Sequence, residues 1–344
     1  MIQQNCSYIL TMPSEQQRLV RFDSGNTTFV GKFGEFSDDE ILGKPFGSFQ
    51  LINNKIVKVN NIEESWFAST DPLDYHQKLQ TLIQNNEGFE DKSEFAKDKY
   101  VQKHNKKTKN ILRIGPLTSQ ALCEYYFKRG PMAILQLNWD LLSIMLFYGN
   151  ITYNGKYLCF DSVRGILVHS VYNKLTQGKV YQVMQTDGEA NELSTFENYD
   201  PHRYAKSTWS KLHQDSEIWI DNHAPSSNLE LKKQKMETRI KIRNEILQGE
   251  FDCIFMATKY DELPILKKIS SLIAGSGQIV IYSPYLEKLS KILQFLRSSE
   301  EFCNVDLFTT HFREYQILPH RTRPQMKHSS SGGGIVVATK LLIK

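Results

Sequence analysis

The chain has few cysteines and no long apolar run. Its 344 residues include five cysteines, an odd number, widely separated and without a C-x-x-C pair: Cys6, Cys123, Cys159, Cys253 and Cys303. This spacing predicts neither a zinc site nor a disulfide framework. No apolar stretch approaches the roughly 20 residues that cross a bilayer, so no membrane segment is predicted. The N-terminus, MIQQNCSYIL, lacks the basic start and apolar stretch of a secretory signal, so we expect the protein to remain inside the cell.

The sequence also lacks the spacings of common catalytic sites. Its nine histidines are dispersed, and no Ser-His-Asp, H-E-x-x-H or phosphate-loop spacing occurs. The run SSSGGG at residues 329–334 precedes a strand-like segment, so no helix dipole would face an anion there. We interpret this run as a flexible turn. The net charge of +4 is only mildly basic and does not by itself imply a nucleic-acid partner.

Three parts follow one another along the chain. Short alternating segments from Tyr8 to Val59, separated by turn residues, are typical of a small β-barrel or sandwich. Helical patterns dominate the next part, and from Gly155 onward strands and helices alternate, which predicts a parallel sheet with helices on both faces. We therefore expect an α/β chain with a β-barrel N-terminal domain at 1–65, a helical connector at 66–150 and a Rossmann-like domain at 151–344.

The Rossmann-like part departs from simple alternation in three places. Residues 187–214 are polar and weakly periodic, which predicts a loop with at most one short helix. FCNVDLFTTHFREYQIL and GGGIVVATKLLIK are strand-like without a helix between them, which predicts an antiparallel hairpin at the sheet edge, as in class I methyltransferases. A charged helix is predicted over 228–248. Its basic side chains are most simply a solvated face, with RNA contact as the alternative: Lys232, Lys233, Lys235, Arg239, Lys241 and Arg243.

YLCFDSVRGILVHSVYNKL, residues 157–175, has the strand, turn and helix that open a nucleotide-binding domain. Such turns are rich in glycine because the backbone must approach the cofactor closely and leave its N–H groups uncovered. The turn from Asp161 to Gly165 instead contains Val163 and Arg164, which would fill the cofactor's space. The sequence therefore predicts a turn that does not bind a cofactor.

Two further features of a methyltransferase are missing. The strand KVYQVM should end in an acid for the cofactor ribose, but Gln185 and Thr186 follow it, and Asp187 comes late. The strand FDCIFMAT should end in an acid or amide before proline, but Ala257-Thr258-Lys259 stands there. We expect a retained fold without catalytic, cofactor-binding or metal-binding residues. The alternative is an active S-adenosylmethionine-dependent RNA methyltransferase with an unusual cofactor loop, in which Asp187, Asp261 or Glu262 would supply the missing acids.

A second basic segment lies in the connector. FEDKSEFAKDKYVQKHNKKTKN predicts a helix with Asp91 as its N-cap and Glu94 three residues later. An advance of about 100° per residue places its lysines on one stripe with aromatic neighbours: Lys92, Lys99, Lys103 and Lys106, with Lys107 beside them. Such a stripe serves solubility or nuclear import in many proteins, but it also suits a phosphate backbone.

Three separated motifs resemble one known family. The lysine-rich segment, GKFGEFSDDEILGKPFG before it, and REYQILPHRTRPQM with SGGG after it are similar to the non-catalytic subunit of the eukaryotic tRNA (adenine-58-N1)-methyltransferase. The resemblance covers most of the chain in order, although SSSGGG is shorter than the family's glycine run and Ile335 replaces an aromatic. It implies a tRNA-binding scaffold in the nucleus. Its partner would be a catalytic subunit of the same fold, which binds S-adenosylmethionine, and two copies of each would form a heterotetramer.

The resemblance also implies RNA contacts. They are Lys99, Lys103, Lys106 and Lys107 in the basic helix, Arg313, Tyr315, Arg321 and Arg323 in the hairpin, and Asn150 and Lys156 before the first strand of the Rossmann-like domain. Arginines in the hairpin could fork onto phosphates in a way that lysine cannot. A third hypothesis, an RNA-binding protein without a methyltransferase partner, leaves the sheet edge and the hairpin without a use.

Overall fold

The computed structural model divides the chain into two compact units, Met1–Ala121 and Leu122–Lys344. It describes residues 1–14, 16–52, 54–59, 81, 83, 88, 89, 91–97, 99, 100, 111–186, 200–213, 229–311, 313, 315–318, 321–324 and 331–342. Among these residues, no helix is both long enough and apolar enough to span a membrane.

The first unit is built on antiparallel strands. They are β1 (Ser7–Thr11), β2 (Gln17–Arg21), β3 (Thr27–Phe29), β4 (Glu35–Ser37), β5 (Gly47–Ile52), β6 (Lys55–Val59) and β7 (Ile111–Pro116). Five of them form a sheet in the order β2-β1-β7-β5-β6, and β3 pairs with β4 separately. Leu10, Phe22, Phe49 and Leu112 fill its core. The predicted strands are confirmed, but β2 and β6 do not pair with each other in the described residues, so a closed barrel stays a prediction.

From Ser119 onward the described part of the chain forms seven α-helices and a second, larger sheet. The helices are α1 (Ser119–Arg129), α2 (Trp139–Tyr148), α3 (Ile166–Tyr172), α4 (Trp209–His213), α5 (Leu229–Leu247), α6 (Glu262–Ile269) and α7 (Leu286–Ser298). The strands are β8 (Lys156–Asp161), β9 (Lys179–Met184), β10 (Tyr204–Thr208), β11 (Phe251–Ala257), β12 (Ile273–Ser283), β13 (Phe302–His311), β14 (Tyr315–Leu318), β15 (Arg321–Pro324) and β16 (Ser331–Lys340).

Seven strands form the large sheet, in the order β10-β9-β8-β11-β12-β16-β13. The first five are parallel to their neighbours, whereas β16 runs antiparallel to both β12 and β13. The predicted antiparallel pairing of the last two strands is confirmed, but β16 lies inside the sheet and only β13 forms the edge. Along the chain, β14 and β15 lie between β13 and β16, and they pair with each other as a separate two-stranded ribbon. Cys159 and Cys253 are fully buried in β8 and β11, as predicted for small apolar side chains.

Strand β10 corrects the prediction of a loop over 187–214. Its sequence, YAKST, pairs in parallel with β9 from Tyr204↔Val180 to Thr208↔Met184. The strand is short, lies at the edge of the sheet and buries only Ala205 and Thr208, so it has no apolar run that periodicity could detect. The helix α4 follows directly, and residues 187–199 lie outside the described part of the chain.

The glycine run at the start of β16 is not a flexible turn. Gly332, Gly333 and Gly334 are buried at the start of the strand. Gly333 has φ +96°, and a Cβ added to it would stand 2.4 Å from the carbonyl oxygen of Ser283 and 2.6 Å from Cα of Pro284. Glycine is required because the backbones approach too closely for any side chain. Ile335, fully buried, then continues the strand opposite Tyr282.

The predicted domain boundary at residue 150 is also corrected. Strand β7 pairs with β1 and β5 and therefore belongs to the first unit. Helix α2 packs on β12 and β16 of the second unit and buries Leu141, Leu142 and Met145. The connector is thus divided between the two units near residue 121, because its apolar faces complete two different cores. The predicted boundary at residue 65 lies outside the described residues.

Candidate nucleic-acid interface and the altered cofactor turn

The turn after β8 is occupied by its own acid. Asp161 is buried, and its carboxylate accepts hydrogen bonds from the backbone N–H groups of Val163 (2.8 Å), Gly165 (3.1 Å) and Val168 (3.0 Å). N–H groups at the start of such a helix are the donors that would otherwise face a bound anion. Because Asp161 already satisfies three of them, the turn offers little to a nucleotide cofactor.

The side chains of the turn close it further. Val163 is fully buried, and the Arg164 guanidinium lies over the Tyr126 ring, 5.1 Å from its centroid. Arg164 and Gly165 have φ values of 60° and 86°, so the turn keeps a left-handed backbone at two successive positions. This conformation is unfavourable for arginine and is held by the Asp161 hydrogen bonds. The residues present therefore do not fit S-adenosylmethionine, as the sequence predicts.

The end of β9 provides no described acid. Met184 is buried, Gln185 is half-buried and Thr186 is exposed, while Asp187 lies outside the described residues. Within the strand, Gln182 is fully buried and accepts a hydrogen bond from the Tyr204 hydroxyl of β10 at 2.7 Å. Gln182 thus joins β9 to β10.

The end of β11 likewise uses its polar groups internally. Ala257 and Thr258 are buried, and the Thr258 hydroxyl accepts a hydrogen bond from the backbone N–H of Tyr260 at 3.1 Å. Asp261 is the N-cap of α6, because its carboxylate accepts from the Leu263 N–H. Asp261 therefore stabilises a helix start, which gives it a role other than the acid of the alternative hypothesis.

Glu262, the other alternative acid, is fully buried in the first turn of α6. Neither of its carboxylate oxygens accepts a hydrogen bond of normal geometry in the described part of the chain, although its own backbone N–H and the Ser283 side chain are close enough to favour the ionised form, and the Lys288 ammonium lies 3.8 Å away. Burial raises the pKa of this carboxyl from 4.5 to about 7, although Lys288 opposes the shift. The folded chain thus binds more protons than the unfolded chain between these two pH values, so Glu262 lowers stability as the pH rises from about 4.5 to about 7.

His169 on α3 is buried directly behind the turn. Burial lowers the pKa of its imidazole to about 4, so the ring is neutral at pH 7. Its Nε2 atom lies 2.9 Å from the amide nitrogen of Asn173. This histidine therefore packs inside the domain and is not exposed for acid–base chemistry.

Only the beginning of the predicted lysine helix is described. Residues 94–97, 99 and 100 are helical, and the carbonyl of Ser93 accepts from the Lys97 N–H, so Ser93 stands at the cap position, two residues after the predicted cap, Asp91. Lys99 is exposed, as predicted, whereas Lys92 lies over the Tyr100 ring at 5.1 Å. The predicted RNA contacts Lys103, Lys106 and Lys107 lie outside the described residues.

The predicted hairpin contacts lie on or beside the β14–β15 ribbon. Arg313, Tyr315 and Arg323 are exposed, and Arg321 begins β15 opposite Leu318. Arg323 donates through Nε to the Gln316 side chain at 3.3 Å. The strand register places Arg323 and Gln316 on one face of the ribbon, and Tyr315 and Ile317 on the other.

Two predicted contacts also take part in local structure, and their contacts with RNA stay predictions. Asn150 has φ 44° and its N–H donates to the Phe147 carbonyl at 3.1 Å, which ends α2. The Lys156 ammonium donates to the backbone carbonyls of Glu245 (2.9 Å) and Gly249 (2.7 Å), and burial lowers its pKa. It caps the C-terminus of α5, where a cation is favoured by the helix dipole. Sequence position alone could not separate these roles from RNA contact.

Together, the strand order and the strand–turn–helix after β8 define a methyltransferase-like Rossmann domain whose cofactor turn is filled. The chain belongs to the Gcd10p family, whose model matches residues 75–246. The tRNA (adenine(58)-N(1))-methyltransferase non-catalytic subunit of Debaryomyces hansenii is 22% identical over 409 residues, covering 99% of this chain and 86% of that protein. The subunit of the same name from Mus musculus is 23% identical over 326 residues, covering 74% of this chain and 66% of that protein.

Solved structures agree on the fold. A SAM-dependent O-methyltransferase from Thermotoga maritima matches with a TM-score of 0.59 and 11% identity, covering 99% of this chain and 95% of that chain. The tRNA (m1A58) methyltransferase TrmI from Aquifex aeolicus matches with a TM-score of 0.53 and 13% identity, covering 99% of both chains. At these identities the likeness shows the methyltransferase fold alone.

Proposed function

We propose that this chain is the non-catalytic, tRNA-binding subunit of a tRNA (adenine-58-N1)-methyltransferase. The observation that carries the non-catalytic role is the turn after β8, where Asp161 occupies three N–H groups that a cofactor would need. The proposed substrate and reaction are those in the names of the similar proteins from Debaryomyces hansenii and mouse. The chain would scaffold the reaction that its partner performs.

The partner in this proposal is a catalytic subunit of the same fold that binds S-adenosylmethionine. Two copies of each subunit would form a heterotetramer. The large sheet and its buried core support this scaffold role, because both are retained although the cofactor turn is filled. A rigid sheet without its own chemistry can still position a partner and a substrate.

The tRNA grip in this proposal uses the lysine helix and the ribbon. Lys99, Arg313, Tyr315 and Arg323 are exposed and can reach a phosphate backbone. The resemblance of the sequence motifs adds four further residues to this proposal: Lys103, Lys106, Lys107 and Arg321. Asn150 is exposed and remains in the proposal, whereas Lys156 is left out because its ammonium already donates to two backbone carbonyls.

The proposed location is the nucleus. The basic segment KHNKKTK, residues 103–109, supports this proposal because its composition also suits an import signal. A fluorescent fusion of the full chain should concentrate in the nucleus. An even distribution through the cell would contradict the location without affecting the enzymatic proposal.

The function is tested by methyl transfer to a tRNA transcript. This chain alone, its catalytic partner alone and the two mixed should be compared on two transcripts, one with adenine and one with guanine at the target position in the T-loop. We expect transfer only in the mixture and only to the transcript with adenine at that position. Transfer by this chain alone would contradict the proposal, as would full activity of the partner alone.

A matched pair of variants distinguishes the proposal from an enzyme with an unusual loop. Arg164→Ala removes the guanidinium that lies over Tyr126 and should leave the activity of the mixture nearly unchanged. A charge-reversing variant in the lysine stripe, Lys99→Glu with Lys103→Glu, should weaken tRNA binding. The reverse pattern would indicate chemistry at the turn.

A further inference from the structure

Helix α5 is anchored at its C-terminal end. Glu245 accepts from the Lys179 ammonium at 2.7 Å and from the Tyr181 hydroxyl at 2.9 Å. Arg243 donates through Nε to a backbone carbonyl of α4 at 3.3 Å, and Ile246 is fully buried. These contacts fix the direction of the helix relative to the large sheet.

The preceding part of the same helix is exposed. From residue 233 to residue 241 no side chain is buried, and Met236 and Ile240 are only half-buried. Four cations and one acid are exposed there: Lys233, Lys235, Arg239, Lys241 and Glu237. A rise of about 1.5 Å per residue places Lys235 about 15 Å from Glu245 along the axis. The anchored helix therefore presents a basic segment beyond its fixed end.

Three of these cations have no structural role that the fold reveals, whereas Lys241 interacts with the charge of Glu245. Within the described part of the chain, Lys233, Lys235 and Arg239 make no side-chain hydrogen bond and no ion pair. By contrast, Arg243, one turn after Arg239, is held by a carbonyl. The side chains of the exposed segment are thus available to a partner.

Helix stability accounts for only part of their placement, because Glu237 is four residues from Lys233 and from Lys241, whereas Lys235 and Arg239 have no acid three or four residues away. Lys235 and Arg239 are four residues apart, a spacing at which like charges repel on a helix surface. Cations are favoured near the C-terminal end of a helix, whereas Lys233 and Lys235 lie in its first two turns. A segment optimised only for folding would alternate acids with bases. The excess of positive charge matches an anionic partner.

We propose that the exposed cations of α5, Lys233, Lys235, Arg239 and Lys241, contact the phosphate backbone of the bound tRNA. This inference rests on the proposed function and adds a second basic surface to the lysine helix. Contacts of lysine and arginine with phosphates need no particular base, and each adds affinity that weakens as salt displaces it. The anchored end would hold the segment in place without refolding.

The test uses the reconstituted complex with the catalytic subunit. The triple variant Lys233→Gln, Lys235→Gln and Arg239→Gln removes three charges and keeps residues of similar helix propensity. We expect the Kd for tRNA at low salt to rise roughly tenfold or more, and the slope of log Kd against log salt to fall by about 2 to 3. Circular dichroism and Tm should stay unchanged.

A matched control removes the same charge elsewhere on the domain. Lys267→Gln, Lys268→Gln and Lys291→Gln change three exposed lysines on α6 and α7 and should leave both the Kd and the salt slope near wild type. If both triple variants changed the Kd and the salt slope equally, the proposal of a specific contact surface on α5 would be wrong, and only the net charge of the chain would matter.

Three further outcomes separate this inference from the proposed function. An unchanged Kd and slope in the α5 triple, with tight binding by the wild-type complex, would overturn the inference and leave the function intact. No tRNA binding by the wild-type complex would overturn both. Loss of assembly in the triple, with unchanged tRNA affinity of the complex that still forms, would assign the surface to the protein partner and overturn the RNA contact.

Discussion

Replacing Asp161 by alanine removes the acceptor of three buried hydrogen bonds, those from the N–H groups of Val163, Gly165 and Val168. A buried donor that loses its acceptor costs about 1–3 kcal/mol. Relaxation of the turn would let water reach some of them, so we expect the free energy of unfolding to fall by roughly 3–6 kcal/mol. This is a large fraction of the stability of a typical domain, which is about 5–15 kcal/mol.

The substitution Asp161→Asn gives a graded comparison. Its amide oxygen can still accept from Val163 and Gly165, but its NH2 group would face the N–H of Val168, so two donors would oppose each other. We expect a loss of about 2 kcal/mol, between wild type and the alanine variant. Asp261→Ala, which removes a cap at an exposed position, is the control and should cost about 1 kcal/mol.

Urea unfolding followed by circular dichroism measures these differences, and methyl transfer by the reconstituted complex measures the function. If the turn serves only the fold, methyl-transfer activity of each variant should be proportional to its fraction of folded chain. The reasoning would be refuted by an Asp161→Asn variant that unfolds like wild type but abolishes methyl transfer. That result would mean that the carboxylate acts on a ligand.

Three other substitutions test the structure. Glu262→Gln should remove the loss of stability between pH 4.5 and about 7 and raise Tm by several degrees at pH 8 but not at pH 4, as thermal melts at both pH values would show. Gly333→Ala should cost more than about 2 kcal/mol in urea unfolding, because the added Cβ meets backbone as well as a positive φ, whereas Gly25→Ala, with open space but φ +79°, should cost only about 1–2 kcal/mol. Lys156→Met should lower stability by about 1–2 kcal/mol through two lost hydrogen bonds, and a tRNA Kd that rises without any loss of stability would restore its predicted RNA role.

The sequence predicted the elements whose burial is nearly continuous. Strands β8, β9 and β11 read as apolar runs because both faces of the large sheet are covered. Strand β10 was missed because an edge strand of five residues needs few apolar side chains. The glycine run was misinterpreted because a close approach between β16 and the end of β12 depends on the fold, which local composition does not report.

The sequence indicated the altered cofactor turn through residues that are missing, and it gave no information on the hydrogen bonds within the turn. Missing glycines and acids correctly indicated a turn that does not fit a cofactor, but they gave no sign that Asp161 itself fills the donor groups. Lys156 was expected to contact RNA because the family resemblance implied that contact. Its partners, the carbonyls at the end of α5, are about 90 residues away in the sequence and become neighbours only in the folded sheet.

Calorimetric titration of the reconstituted complex with S-adenosylmethionine tests most directly whether this chain accepts the cofactor. A complex in which only the catalytic subunit holds the cofactor should bind one equivalent per pair of subunits, and this chain alone should give no heat of binding. Saturable binding by this chain alone, or two equivalents per pair, would contradict the central claim that the turn from Asp161 to Gly165 no longer accepts the cofactor.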